Sequence, residues 1–529
     1  MKKLFLILLI AINVNSAVFN QTSGNSNNFS NDFEYLIEKL IETHPDPYSS
    51  FGDQIEFYRK KKDIELLLSD TLTSDEFIIA TNQFLSCLND GHTYLFLPNS
   101  NDLKKFPLQL KIAANVIFVD NTITEYKNLI GCTIIAINDI SIEKCLRKAS
   151  SFLPSENISG NYYNLVKIIT DFQLAQKFFN CSDEIKISFK DTSKNQFSLI
   201  IAYRDSVNIP KRKSEIRFDN DNNLLFYSMI GKNKDIAYLK WNSIVCREVV
   251  ESTYKNSPDW VQGNLNWAYS YLNEKQTGNI EMDILKIPAL YEQFYKLSIK
   301  IKKNNSKYLV LDLRENNGGM TSVINPLLYK LYGEKYLNFD FEAEMIRKIS
   351  PLYLKKIGYN TIDKFNRAYK SNYKMGEYIF GGFGNVYPNL PLKQKREILN
   401  NGYNGCGAEY LQQTKPLTDI KIFVICSPKT FSAAYHFTYF LKKLGRTKIV
   451  GVASRQAGNA FMETTSLTLP ETKINGSISN SKQVLFGDTI PAARILKPDY
   501  EMTWEDYKKY EFDENSEILR VIDIIENKN

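Results

Sequence analysis

This 529-residue sequence predicts an α/β layered core, preceded by a small helical domain and a β-rich module. Three observations carry that fold class. Short apolar, β-branched runs at Tyr308–Leu313 and Ile420–Ile425 stop abruptly at small or polar residues, as buried parallel strands do where they deliver their C-terminal ends to a sheet edge. Helical stretches alternate with these runs: a stripe at Leu290, Phe294, Leu297 and Ile301, then Ser322–Leu331 and Ser432–Leu444, an alternation that packs helices on a parallel sheet. The stretch from Phe106 to Asp205 reads instead as one strand after another.

Taken in order, Met1-Lys2-Lys3, the apolar run Leu4–Ile12 and the small residues Ser16 and Ala17 read as a secretory signal peptide over 1–17. That run is too short to cross a bilayer, and no later run approaches the roughly 18 to 20 apolar residues a membrane helix needs. The chain is therefore expected to be exported, periplasmic or extracellular, with no integral membrane segment after cleavage. An Asn/Ser/Gly-rich tract follows, expected as a disordered linker over 18–32. The helical domain is expected over 33–100. Phe33, Leu36, Ile37, Leu40 and Ile41 share one face, and Thr73-Ser74-Asp75-Glu76 is a capping box for a second helix. That helix stops at Asn89-Asp90-Gly91, with His92 directly behind.

Over 105–206, Ile134, Ile135 and Ile137 lead through Asn138-Asp139 to a helix capped by Ser141, and strand-like runs follow at Ile185–Phe189 and Phe197–Tyr203. Gly131–Asp139 resembles the strand and turn of a PDZ-type module. The core is expected over 234–510, opening with the strand Ala237–Trp241, carrying insertions near 245–287 and 340–416, and followed by a C-terminal helix over 511–529. The second insertion, rich in Tyr, Gly, Asn and Pro, reads as a subdomain or lid.

Composition narrows the function classes. The formal charge of +7 comes from 66 basic and 59 acidic residues scattered without a stripe, which gives no support to a nucleic-acid partner. Seven cysteines without a C-x-x-C pair, and three histidines, leave no zinc motif, and no metal or other cofactor is expected. Buried free thiols are the default for the cysteines, Cys132 with Cys145 being one pair an exported protein could oxidise.

Two segments carry chemistry. In Ile422–Phe437 a strand turns directly into a helix at Ser432, where a hydroxyl meets backbone N–H groups that lack intrahelical partners. In Tyr308–Gly319 the Gly318-Gly319 pair ends the neighbouring run, and glycine lets N–H groups face a cleft with no Cβ in the way. Either feature alone has an ordinary reading, an N-cap or a turn. Together, D-L-R-x-N-x-G-G followed by S-A-A resembles the C-terminal processing peptidase and tricorn-core serine protease family, over roughly His92 to Asp499. That resemblance implies a ClpP/crotonase-like layered protease core, with Ser432 as nucleophile and Gly318, Gly319 and Ala433 as the oxyanion hole.

The base is the point of departure. Where processing peptidases of that family carry a lysine, this sequence has Ala457, which disfavours a Ser–Lys mechanism. The tricorn-like branch uses a histidine from the N-terminal side, and Asn89-Asp90-Gly91-His92 matches that context; a neutral imidazole accepts a serine proton near neutral pH. His436, four residues past Ser432 on the same helix, is expected to pack in the core, and His44 to be structural. The acid that orients the imidazole is not fixed by the resemblance: counting back from Pro498-Asp499 meets Ala492, so Asp488 is the candidate and Glu463 another. Arg314 and Asn316 are expected to fix the loop. The sequence thus predicts an exported serine endopeptidase acting on peptides or unfolded proteins, with a non-catalytic peptide-binding protein on the same fold as the alternative.

Overall fold

The computed structural model describes residues 26–68, 72–97, 104–218, 223–384, 390–402 and 406–527. The expected signal peptide over 1–17 and the first part of the expected linker lie outside them. Residues 26–32, expected in the linker, instead open the helix Ser26–Thr43. Phe29 is fully buried there, stacked on Phe77, and the buried Asp32 carboxylate accepts from the Glu471 and Thr472 amides. The polar composition of the tract hid one aromatic and one carboxylate that find partners far along the chain.

The core sheet has six strands in the order Tyr500–Glu501, Thr447–Gly451, Lys421–Cys426, Tyr308–Asp312, Ile236–Trp241 and Leu225–Ile230. All neighbours are parallel except the last pair. Its two faces go to different cores: Leu309, Leu311, Ile422 and Val424 pack with the helices Leu290–Lys303, Asn325–Tyr332 and Ala433–Leu444. Val310, Phe423, Ile425 and Val450 face the β-rich module and the C-terminal helix Ser516–Glu526. Residues of both faces are buried, so the strands read as continuous apolar runs with no alternation.

The β-rich module forms its own sheet, Leu108–Ala113, Val116–Thr122, Thr133–Ile137, Glu184–Lys190 and Gln196–Ala202, with Ile140–Ser141 paired to Thr133–Ile137. Asn138 and Asp139 take the left-handed turn that the sequence marks. The helix Ser74–Ser86 carries the full capping box from Thr73 and Glu76.

Region 340–416 is not a detached lid. Its strands Glu344–Lys348 and Tyr378–Gly382 extend a second sheet built on the hairpin Ala460–Thr468 and Asn475–Val484, which sequence reading did not anticipate. The short strand Tyr94–Leu95 pairs with that same hairpin. Segment 245–287 is helical: Arg247–Asn256, Val261–Tyr269 and Ile280–Lys286. All seven cysteines are free thiols, Cys132 and Cys145 included.

A buried ionic knot ties three units together. Arg314 donates from Nε and Nη2 to Asp312 and from Nη1 to Glu517 Oε2, while Lys111 of the β-rich module lies 3.1 Å from Glu517 Oε1. Burial alone would raise the Glu517 carboxyl; Lys111 and Arg314 outweigh it and hold it at about 2. Removing one partner of such a group costs about 3–5 kcal/mol, because it strands a buried charge.

Candidate active site

Because Tyr308–Asp312 and Lys421–Cys426 are adjacent and parallel, their C-terminal ends open at the same sheet edge. The two loops beyond them are laced together. Phe431 N–H donates to Asn316 O (3.0 Å), Thr430 Oγ1 to Leu313 O (2.8 Å), and Ser427 Oγ to Arg314 O. Gly318 abuts the serine: a Cβ there would sit 2.7 Å from Ser432 Cβ and 3.0 Å from the Ala433 nitrogen. A Cβ on Gly319, at φ +142°, would fall 2.2 Å from Ile244 O. Gly319→Ala is accordingly expected to destabilise the fold by about 2–4 kcal/mol, read as a lower urea midpoint with an unchanged slope. An unchanged midpoint would mean the loop has room that these distances deny.

Ser432 precedes the helix Ala433–Leu444 with φ 53° and ψ −124°, a left-handed conformation that costs a non-glycine residue about 1–3 kcal/mol. Such a strained strand-to-helix turn lifts a side chain off the sheet edge, as in a nucleophile elbow, here without that motif's flanking glycines. The Ser432 N–H donates to Gln456 Oε1, and Gln456 is fully buried. Gln456 N–H in turn donates to Ser454 Oγ, whose hydroxyl donates to Thr430 O, so a third loop clamps the turn.

Of the expected oxyanion donors, Gly318 is excluded in this arrangement, because its N–H donates to Asn316 Oδ1 at 2.8 Å. Ala433 N–H opens the helix and has no intrahelical acceptor. Among the described residues no acceptor is recorded for Ala433 or Gly319 N–H, so these two amides remain available.

His92 arrives from the other side, carried by the turn before Tyr94–Leu95. Ser477 Oγ donates to His92 O (2.6 Å), and Ser479 N–H to Thr93 Oγ1 (2.9 Å), which pins that turn to the polar hairpin. The imidazole stacks on Phe431, the residue before Ser432, at 4.6 Å between centroids and 22° between planes. Its Nδ1 faces Glu156 Oε1 at 3.4 Å and Asp90 Oδ1 at 3.9 Å, and neither ring nitrogen has a hydrogen-bond partner.

The two carboxylates are held differently. Asp90 is fully buried, which would raise its carboxyl, but His44, His92 and Thr93 outweigh burial and hold it at about 2. Its Oδ1 accepts the His92 N–H (2.8 Å), and His44 Nε2 lies 3.4 Å from Oδ2, an ion-pair distance. Glu156 is raised above the ordinary range by burial, against the pull of His92 and of the Ala457 amide, which donates to Oε2 at 2.8 Å.

Residues 279–478 match the family model of peptidase family S41. That segment is less than half of the chain, and over it the chain is similar to peptidase family S41. The match indicates a serine-type peptidase, a hydrolase. The overall fold is shared with mature CPAF: the structure of mature CPAF complexed with lactacystin aligns over 95% of this chain and 99% of that chain, at 14% identity and TM-score 0.57. The photosystem II D1 C-terminal processing protease (92% and 94% covered, 10% identity, TM-score 0.37) and the tricorn protease (95% and 37%, 12%, 0.36) are more distant. No curated protein sequence matches the chain.

The matched segment contains Gly318, Gly319, Ser432 and Ala433, while His92 and Glu156 lie before it. Asp488, the expected orienting acid, does not meet His92: it is exposed and accepts from Asn459 Nδ2 at 2.9 Å. Glu463 is bound by Arg347 through two hydrogen bonds of 2.6 and 2.8 Å. The carboxylate at the imidazole is instead Glu156, between the helices Ile142–Ser150 and Ile158–Thr170 of the β-rich module. Nothing in Pro154-Ser155-Glu156-Asn157 sets it apart from a surface turn, and only the tertiary packing identifies it.

His436 packs in the core as expected, its Nε2 2.8 Å from Gln483 Oε1 and Nδ1 3.1 Å from Thr321 Oγ1. Burial pushes it down from 6.5 to about 4. The unfolded chain then binds a proton at this site between pH 6.5 and 4 that the folded chain refuses. Stability is full above pH 6.5 and is lost as pH falls toward 4, by about 3 kcal/mol from this group. Urea unfolding at pH 7 and pH 4.5 should show that loss, and His436→Gln should flatten it; an equal slope in the variant would assign the effect elsewhere.

Proposed function

We propose that the chain is an exported serine endopeptidase that hydrolyses peptide bonds through an acyl-enzyme on Ser432, with His92 as general base. The reading rests most on one observation, the His92 ring stacked on Phe431 beside Ser432 with Nδ1 facing the Glu156 carboxylate. In this mechanism Nδ1 carries its proton toward Glu156, which leaves Nε2 with a free lone pair. Nε2 takes the Ser432 proton as Oγ attacks the substrate carbonyl, and returns it to the leaving amine. Gly319 and Ala433 N–H groups stabilise the oxyanion, and water then repeats the sequence on the acyl-enzyme. Glu156 holds the imidazole in that tautomer.

Substrates on this reading are peptides or unfolded proteins, bound by the PDZ-like module through strand addition at an edge such as Gln196–Ala202. Export rests on the N-terminal sequence; no helix among the described residues is long and apolar enough to cross a membrane. A serine-directed phosphonate should label folded protein at Ser432, with peptide mapping by mass spectrometry as the readout. A folded chain that takes up no label would instead favour the peptide-binding alternative.

A further inference from the structure

The molecule has three histidines, and their ring nitrogens have different partners. His436 is engaged at both, by Thr321 and Gln483. His44 Nδ1 accepts the Asp46 amide at 3.2 Å. At His92 both nitrogens are buried and without a hydrogen bond, and two carboxylates converge on Nδ1. The donor atoms of Asp90, His92 and Glu156 all lie within 4.8 Å of one another. Zinc bonds of about 2.1 Å at tetrahedral angles place ligand atoms about 3.4 Å apart. Nδ1 lies 3.4 Å from Glu156 Oε1 and 3.9 Å from Asp90 Oδ1, so small side-chain movements close the set.

We infer that Asp90 Oδ1, His92 Nδ1 and Glu156 Oε1 bind one zinc ion, which switches the peptidase off. The donor set selects the metal. One imidazole nitrogen with two carboxylate oxygens and an open fourth position suits zinc, whereas magnesium and calcium require six or more oxygen ligands. Supporting bonds are present: the Ala457 amide donates to Glu156 Oε2, and Thr93 Oγ1 to Asp90 Oδ2, which steadies both carboxylates. Inhibition follows from the proton count. Zinc takes the Nδ1 lone pair of the other tautomer, so the single proton of the neutral imidazole passes from Nδ1 through solvent to Nε2, and that nitrogen can no longer accept the Ser432 proton. The inhibitory half rests on the proposed function; the binding half does not.

Zinc and, separately, magnesium are titrated into the full chain carrying Ser432→Ala, by calorimetry and by the spectrum of [15N]histidine-labelled protein. The expected result is one zinc per chain, a shift of the His92 Nδ1 resonance alone, and no response to magnesium. Glu156→Gln should weaken zinc binding at least about tenfold. Because that variant could unfold, the His92 signal in the parent protein carries the test by itself. No one-to-one binding, or a shift confined to His44 or His436, overturns the site. In the unsubstituted protein zinc should abolish peptide hydrolysis and a chelator restore it; binding at His92 with hydrolysis intact refutes the switch. Binding in a chain that never hydrolyses peptides refutes the catalytic reading and leaves the metal site standing.

Discussion

Ser432→Ala, His92→Ala and the double variant are expected to be equally inactive, each losing about 10³- to 10⁶-fold in kcat against a denatured protein substrate. Nucleophile and base act as one proton-transfer unit, so removing the second member after the first removes nothing further. The stacking of His92 on Phe431 makes the test specific, because His92→Ala also leaves that ring uncovered. Thermal unfolding of each variant separates the two effects: a His92 variant that keeps its Tm while losing activity has lost chemistry. Should His92→Ala retain more than about a tenth of wild-type kcat with its fold intact, the base lies elsewhere. His436 would not be the substitute, since both its ring nitrogens are engaged in the core.

Glu156→Gln is expected to lower kcat by about 10²- to 10⁴-fold with little change in KM, as does loss of the acid that fixes a catalytic imidazole's tautomer. Glutamine preserves the shape and can still accept from the Ala457 amide, but it removes the charge that steadies the developing imidazolium. Asp488→Asn, at an exposed turn bonded to Asn459, serves as the control and should stay within about twofold of wild type. If the Asp488 variant lost activity while the Glu156 variant kept it, the assignment of the orienting acid would be reversed.

How far the sequence foretold this molecule depended on what each residue must satisfy. Tyr308–Leu313 and Ile420–Ile425 are readable because burial on both faces demands unbroken apolar runs, and the loops after them because glycine and small residues are forced by close approach. The hairpin Ala460–Val484 was unreadable for the opposite reason. Ser479, Asn480, Ser481 and Gln483 are all fully buried there, so no apolar alternation marks the strand. Some of these side chains find hydrogen bonds within the hairpin and beyond it, Ser481 to Met462 O and Gln483 to Gly458 O. Glu156 was missed on similar grounds, because its partner stands in a different unit of the fold and short-range spacing holds no trace of it. His92 was singled out by its turn context, whereas the acceptor that engages the Gly318 amide, Asn316 Oδ1, is invisible in one dimension.

The knot around Arg314 has a consequence for how the site is assembled during synthesis. Glu517 supplies a carboxylate that the Arg314 guanidinium needs, only a few residues from the glycine loop beside Ser432. A nascent chain that ended before that helix would already contain Ser432, His92 and Glu156, yet Arg314 would keep only the Asp312 carboxylate, and Lys111 and Arg314 would both lose the Glu517 carboxylate. The loop beside Ser432 is therefore fully braced only once the helix Ser516–Glu526 has docked.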